Sequence, residues 1–135
     1  MKNYRLNETD SRFLEALLLA TGGEGGAPLQ EVLLMADAVD GTVFELKEVE
    51  DALLKLVAAK VVTITKNKLN INPDFLCHYE ALTLQEGLSE SDELLLNLLQ
   101  EQTIAEETIK AVKSGELKKY KLKTYYQQYQ EQFGG

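Results

Sequence analysis

The chain has 135 residues and a formal charge of −8, from 14 Lys+Arg against 22 Asp+Glu. With 44% hydrophobic and 27% charged residues, it can bury a core and solvate its surface. That excludes global disorder and suits one domain, or one domain plus an appendage. Taken whole, the acidic balance argues against nucleic acid, whose phosphates favour excess Lys and Arg.

The charge is unevenly placed. Residues 1–109 hold 8 basic and 20 acidic residues, −12; residues 110–123 hold six lysines against Glu116, +5; the end adds Glu131, −1. A basic C-terminal stripe therefore follows an acidic body. Apolar runs such as Ala16 to Ala20 and Leu94 to Leu96 fall far short of the ~20 residues of a membrane helix. No apolar segment follows Met1–Arg5, so a signal peptide is not expected. A lone cysteine, Cys77, makes no internal disulfide and suits a reducing cytoplasm. With one Cys and one His, no usual structural zinc site can be built, and neither metal nor cofactor is expected.

The first helix is expected from about Thr9 to Thr21, with Asn7, Thr9 and Asp10 as candidate caps. Phe13, Leu14, Leu17 and Leu18 mark its apolar face, and Gly22-Gly23 its end. The glycine-rich turn that follows has no Gly-Lys-Ser/Thr and is not a phosphate loop. Pro28 suits the first turn of a second helix, with Leu29, Val32, Leu33, Ala36 and Val39 as its stripe and Asp40-Gly41 as its stop. Thr42 and Glu45 have capping-box spacing and would open a third helix. Leu46, Val49, Leu53 and Leu56 point inward, opposite a charged face of Lys47, Glu48, Glu50, Asp51 and Lys55. Val61–Thr65 and Leu69–Asn72, joined by Lys66-Asn67-Lys68 and closed by Pro73, read as a hairpin.

Beyond the hairpin the pattern is helical. One helix runs from Asp74 to about Leu84, and another, capped by Ser89 or Ser91, carries Leu94, Leu95, Leu98 and Leu99. Thr103 caps a third with Ile104, Ile109 and Val112. A final helix from about Glu116 carries Leu117, Tyr120, Leu122, Tyr125, Tyr126, Tyr129 and Phe133. Leu122, Tyr126, Tyr129 and Phe133 recur at 4, 3 and 4 residues, the spacing of a packing or dimerisation seam. The expected fold is mainly α with a small β-hairpin: residues 8–73 as one unit, and 74–135 as a helical extension that packs or dimerises.

Three helices followed by a hairpin, with Glu48-Val49-Glu50-Asp51-Ala52-Leu53-Leu54-Lys55-Leu56-Val57-Ala58-Ala59-Lys60-Val61-Val62 leading into Asn70-Ile71-Asn72-Pro73, resembles the winged helix-turn-helix proteins of bacteria. Ala36–Leu46 is similar to small members of that group, many of unassigned function. The turn position usually held by Gly is Lys60 here, a departure from the pattern. The resemblance covers about residues 10–73 and implies a cytoplasmic regulator of transcription that binds duplex DNA, commonly as a homodimer.

In such proteins the third helix enters the major groove. Here that face presents Glu45, Lys47, Glu48, Glu50 and Asp51, with no arginine to read a base. The face suits solvent, a protein partner or DNA, in that order. Lys66, Asn67 and Lys68 at the wing tip could touch a backbone. Lys118, Lys119, Lys121 and Lys123, interleaved with tyrosines, form the stronger nucleic-acid candidate, but the favoured reading is that they are the wet face of the packing or dimerisation seam. Two readings of function follow: a winged-helix regulator that contacts DNA, or a winged-helix protein-interaction module that does not. An enzyme is the least expected class. Cys77-His78 point apart on a helix, Cys77 being expected as a small core residue, and no acidic metal-binding spacing appears.

Overall fold

The computed structural model describes residues 3–22, 25–41, 43–65, 68–86, 98–99 and 103–134. Among these, the elements in order are β1 (Asn3–Arg5), α1 (Glu8–Thr21), α2 (Leu29–Asp40), α3 (Leu46–Ala58), β2 (Val62–Thr65), β3 (Lys68–Ile71), α4 (Pro73–Glu86), β4 (Thr103–Ala105), α5 (Glu106–Ser114), α6 (Glu116–Lys119) and α7 (Leu122–Gly134). The chain is mainly helical, with two small antiparallel sheets among the described residues, β1–β4 and β2–β3.

Local chemistry accounts for the first three helices. At α1 the Asn7 side chain accepts from the Asp10 amide at 3.1 Å, while the Asp10 carboxylate accepts from the Asn7 amide at 2.8 Å. This reciprocal box satisfies two otherwise orphaned donors. Pro28 lies one position ahead of α2, as its N-cap. Val39, expected in the apolar stripe of α2, is 58% exposed, because the stripe is already complete at Ala36. α3 begins later than its sequence signal. Glu45 is the N-cap, and Glu48 reaches back to accept from the Glu45 amide at 2.9 Å; Thr42 lies outside the described residues.

α3 ends in a Schellman arrangement. The Lys60 amide donates to Val57 O at 3.0 Å and the Val61 amide to Leu56 O at 3.0 Å. Lys60 itself takes φ 64°, so a lysine occupies the left-handed position that glycine fills most easily. Asn72 locks this corner: its Nδ2 donates to Lys60 O at 2.7 Å, and its Oδ1 accepts from the Asp74 amide at 2.9 Å as α4 starts.

In the hairpin, Val62 pairs with Ile71 and Thr65 with Lys68. Ala27, in the α1–α2 connection, adds an antiparallel bridge to Leu69, with N–H···O distances of 3.0 and 2.8 Å in the two directions. Gly26 permits this close approach. A Cβ there would stand 2.6 Å from Asn70 Oδ1 and 2.9 Å from Lys68 Cβ.

The C-terminal half departs further from expectation. Thr103 starts a strand rather than capping a helix. β4 pairs with β1 in the register Asn3–Ala105, Tyr4–Ile104 and Arg5–Thr103, and α5 starts from Ala105 without a side-chain cap. The expected helix around Ser89–Leu99 lies outside the described residues except Leu98 and Leu99, which are helical and buried. The helix expected from Glu116 onward is two helices, broken at Tyr120-Lys121. Cys77, expected in the core, is exposed on α4, whose Phe75, Leu76 and Tyr79 face the core instead.

One buried cluster runs from Leu6 through α1, α2, α3 and the hairpin to Ile109, Val112, Tyr120, Leu122, Tyr126 and Tyr129. α5 packs on α3, and α7 on both α2 and α3. Among the described residues, no helix is long and apolar enough to cross a membrane.

Candidate interaction surface

Val49, Ala52, Leu53, Leu56 and Val57 bury one side of α3. Helical geometry then turns the opposite side outward. Glu45, Lys47 and Asp51 are exposed there, with Glu48 and Glu50 half-buried. Lys55, expected on this charged face, instead turns inward. Its Nζ lies 2.6 Å from Asp10 Oδ2, with the two side chains only 13% and 2% exposed. Burial pushes the Asp10 carboxyl above its ordinary pKa, while Lys55 and the Asn7 amide pull against that shift and nearby Asp51 adds to it.

α7 lies against the N-terminal end of α3. The Tyr126 hydroxyl donates to the Phe44 carbonyl at 2.6 Å, in the segment that leads into α3. Phe44 is held from the other side by Phe13, edge to face, with ring centroids 5.7 Å apart. Glu45 and Leu46 of the α3 entry, with Lys123, Tyr126, Gln127 and Gln130 of α7, enclose a shallow hollow of about 470 Å³. Burial raises the Tyr126 pKa, and the charges of Glu45 and Glu48 add to it. Gln30 of α2 donates to Gln128 of α7 at 2.6 Å.

Of the tyrosine seam, Leu122, Tyr126 and Tyr129 are buried in the chain's own core, on the helix that covers α2 and α3. The Phe133 side chain lies outside the described residues.

The basic candidates separate into groups. Lys47 is exposed on α3 and Lys68 on β3, while Lys66 and Asn67 lie outside the described residues. Lys118, Lys121 and Lys123 are brought together along one cleft of about 410 Å³ between α3 and the α5–α7 corner. The Lys119 side chain lies outside the described residues. Lys113, at the end of α5, joins the cleft; the Ser114-Gly115 step, which turns the chain there, is the only sequence signal for its inclusion. Glu50 and Asp51 of α3 form part of the facing wall.

Tyr120, also at this corner, is buried, and its ring lies 5.1 Å from that of Tyr125. Burial drives its pKa far up, with Tyr125 adding to the rise and the nearby Leu29 amide opposing it. Among the described residues, no group meets its hydroxyl in full hydrogen-bonding geometry. Cys77 and His78 both stand exposed on α4. Among the described residues, no three His, Cys, Asp or Glu side chains gather as metal ligands would.

Comparison of the chain with protein-family models, with curated proteins and with solved structures returns no match.

Proposed function

We propose that this protein is an interaction module on a winged-helix arrangement, acting by contact with another protein and not by reading duplex DNA through α3. The order of α1, Ala27, α2, α3, β2 and β3 supports the winged-helix reading. The bridge from Ala27 to Leu69 ties the α1–α2 connection to the hairpin and so holds the three helices and the hairpin as one unit. The single exposed thiol suits a reducing compartment such as the cytoplasm.

One observation carries the choice of partner class. A DNA reader approaches with the N-terminal part of its third helix leading. Here that end is flanked by α7, with Tyr126 bonded to the Phe44 carbonyl. What remains open is dominated by Glu45, Glu48, Glu50 and Asp51, which repel phosphates. The same carboxylates complement a basic protein surface and would speed encounter with it.

The reading is tested first with labelled mixed-sequence duplex in fluorescence anisotropy at low ionic strength. No saturable binding at micromolar protein is expected. Saturable, salt-sensitive binding that weakens in Lys47→Glu or Lys68→Glu would restore the DNA regulator. The positive arm is affinity capture from cells of the source, run in parallel with Glu45→Lys/Asp51→Lys. A partner held by the wild-type chain and released by this charge reversal supports contact through α3. A partner retained equally by both moves the contact elsewhere.

A further inference from the structure

Lys113, Lys118, Lys121 and Lys123 come from α5, α6, the α6–α7 turn and α7, yet they line one cleft. On an unbroken helix residues advance by about 100° each, so Lys118 and Lys123 would stand about 140° apart. No single groove could then hold them both. The break at Tyr120-Lys121 removes that separation. There the Leu122 amide donates to Tyr120 O at 2.8 Å, a tight three-residue turn, and the buried Tyr120 ring anchors it.

All four lysines are exposed, and none forms an ion pair with a described residue. Gathered cations repel one another, and an anion between them relieves that repulsion. The rest of the cleft is not cationic. Leu54 and Leu117 offer apolar surface, and Glu50 and Asp51 offer acceptors across from the lysines. Its volume of about 410 Å³ falls in the range of small-molecule sites, roughly 300–1,000 Å³.

The geometry points to a nucleotide-binding cleft: phosphates on Lys118, Lys121 and Lys123, a base against Leu54 and Leu117, and base amino groups donating to Glu50 and Asp51. Lysine meets phosphate as a point charge and needs no fixed fork. The carboxylate wall separates this cleft from a plain basic patch. It disfavours a bare anion and rewards a phosphate ligand that also carries donors. Glu50 and Asp51 also belong to the α3 face of the protein-contact reading, but the cleft and its lysines do not, so the lysine changes below test the nucleotide alone.

The test is isothermal titration of the full chain at low ionic strength with ATP, GTP, inorganic pyrophosphate and a 5′-phosphorylated single-stranded octanucleotide. A nucleoside triphosphate is expected to bind at least about tenfold more tightly than pyrophosphate. Lys121→Gln/Lys123→Gln should weaken the nucleotide by about tenfold or more; both side chains are exposed, so the circular dichroism spectrum should be unchanged. Glu50→Ala/Asp51→Ala, which removes both acceptors and charge, should strengthen pyrophosphate more than nucleotide and so narrow the gap between them, a convergence that a simple charge patch would not produce. Absence of nucleotide binding at millimolar concentration would overturn the proposal, as would equal affinity for nucleotide and pyrophosphate, or indifference to the lysine changes. An octanucleotide bound more tightly than either triphosphate would overturn the assignment to a free nucleotide in favour of a nucleic-acid strand end.

Discussion

Asp10 is a carboxylate taken almost wholly out of water, with Lys55 as its charged partner. Removing one member of such a pair leaves an uncompensated buried charge. Lys55→Met should therefore cost about 3–5 kcal/mol at neutral pH, read from urea midpoints. The sign of its pH dependence follows from the raised Asp10 pKa. The fold holds this proton more tightly than the unfolded chain does, so the contribution of Asp10 to stability grows as pH falls through its folded pKa. Without Lys55 that pKa rises further, so the deficit of Lys55→Met should shrink on mild acidification. Adding Asp10→Asn should recover part of it. A deficit that widens in acid would refute the assignment.

The tyrosines give the opposite pH edge. Tyr120, Tyr126 and Tyr129 all have raised pKa values, burial being the largest cause in each. Their contribution is complete below the unfolded phenol pKa of about 10 and is lost as pH rises beyond it toward the folded values. Thermal melts should accordingly weaken above that pH. Tyr126→Phe should cost about 1 kcal/mol through the lost bond to Phe44. Tyr120→Phe, whose hydroxyl has no fully formed bond among the described residues, should be close to neutral. Equal losses in the two variants would contradict these placements.

At the level of elements, the α3-to-hairpin corner shows how a local exception is carried by its surroundings. Lys60 sits at φ 64°, a conformation that costs an L-residue roughly 1 kcal/mol relative to glycine. The Schellman bonds and Asn72 hold it there. Lys60→Gly should gain up to about 1 kcal/mol, visible as a higher melting temperature with the same far-UV spectrum. A loss of stability would show that the lysine side chain contributes more than its backbone strain costs. Lys60 is the one departure from the expected turn in the sequence, and its backbone takes the conformation that glycine adopts most easily.

The elements also show which signals carry. α1, α2, α3 and the hairpin were legible because helical spacing, caps and β-branched runs agree with one another there. The β1–β4 pair was not legible. Three-residue strands are too short to show alternation, and the two partners are separated by α1 to α4 and the hairpin. The α6–α7 break was hidden because Leu117, Tyr120 and the later tyrosines keep an apolar rhythm across it. The same break hid the cleft, since spacing along one helix would have scattered its lysines.

For the whole molecule, the C-terminal helices complete the core. Leu122, Tyr126 and Tyr129 belong to the same buried cluster as Phe13 and Leu53. Leu122→Asp with Tyr126→Asp should therefore abolish cooperative unfolding by placing two carboxylates in an apolar interior, and light scattering before unfolding should show no clean dimer-to-monomer step. A folded variant whose mass halves would return these residues to a seam between copies.

The sequence by itself determined the helical character, the first three helices and hairpin, and the split of −8 into −12, +5 and −1 along the chain. These are local properties, readable from neighbours within a turn or a strand. Only the tertiary structure decided what the +5 segment faces. Tyr120, Leu122 and the tyrosines that follow turn inward, four of its lysines gather along a cleft shared with two α3 carboxylates, and α7 flanks the end of α3 that a DNA reader would use. That outcome depends on which apolar face is left uncovered once the first helices have packed, a non-local quantity that no spacing along the chain encodes.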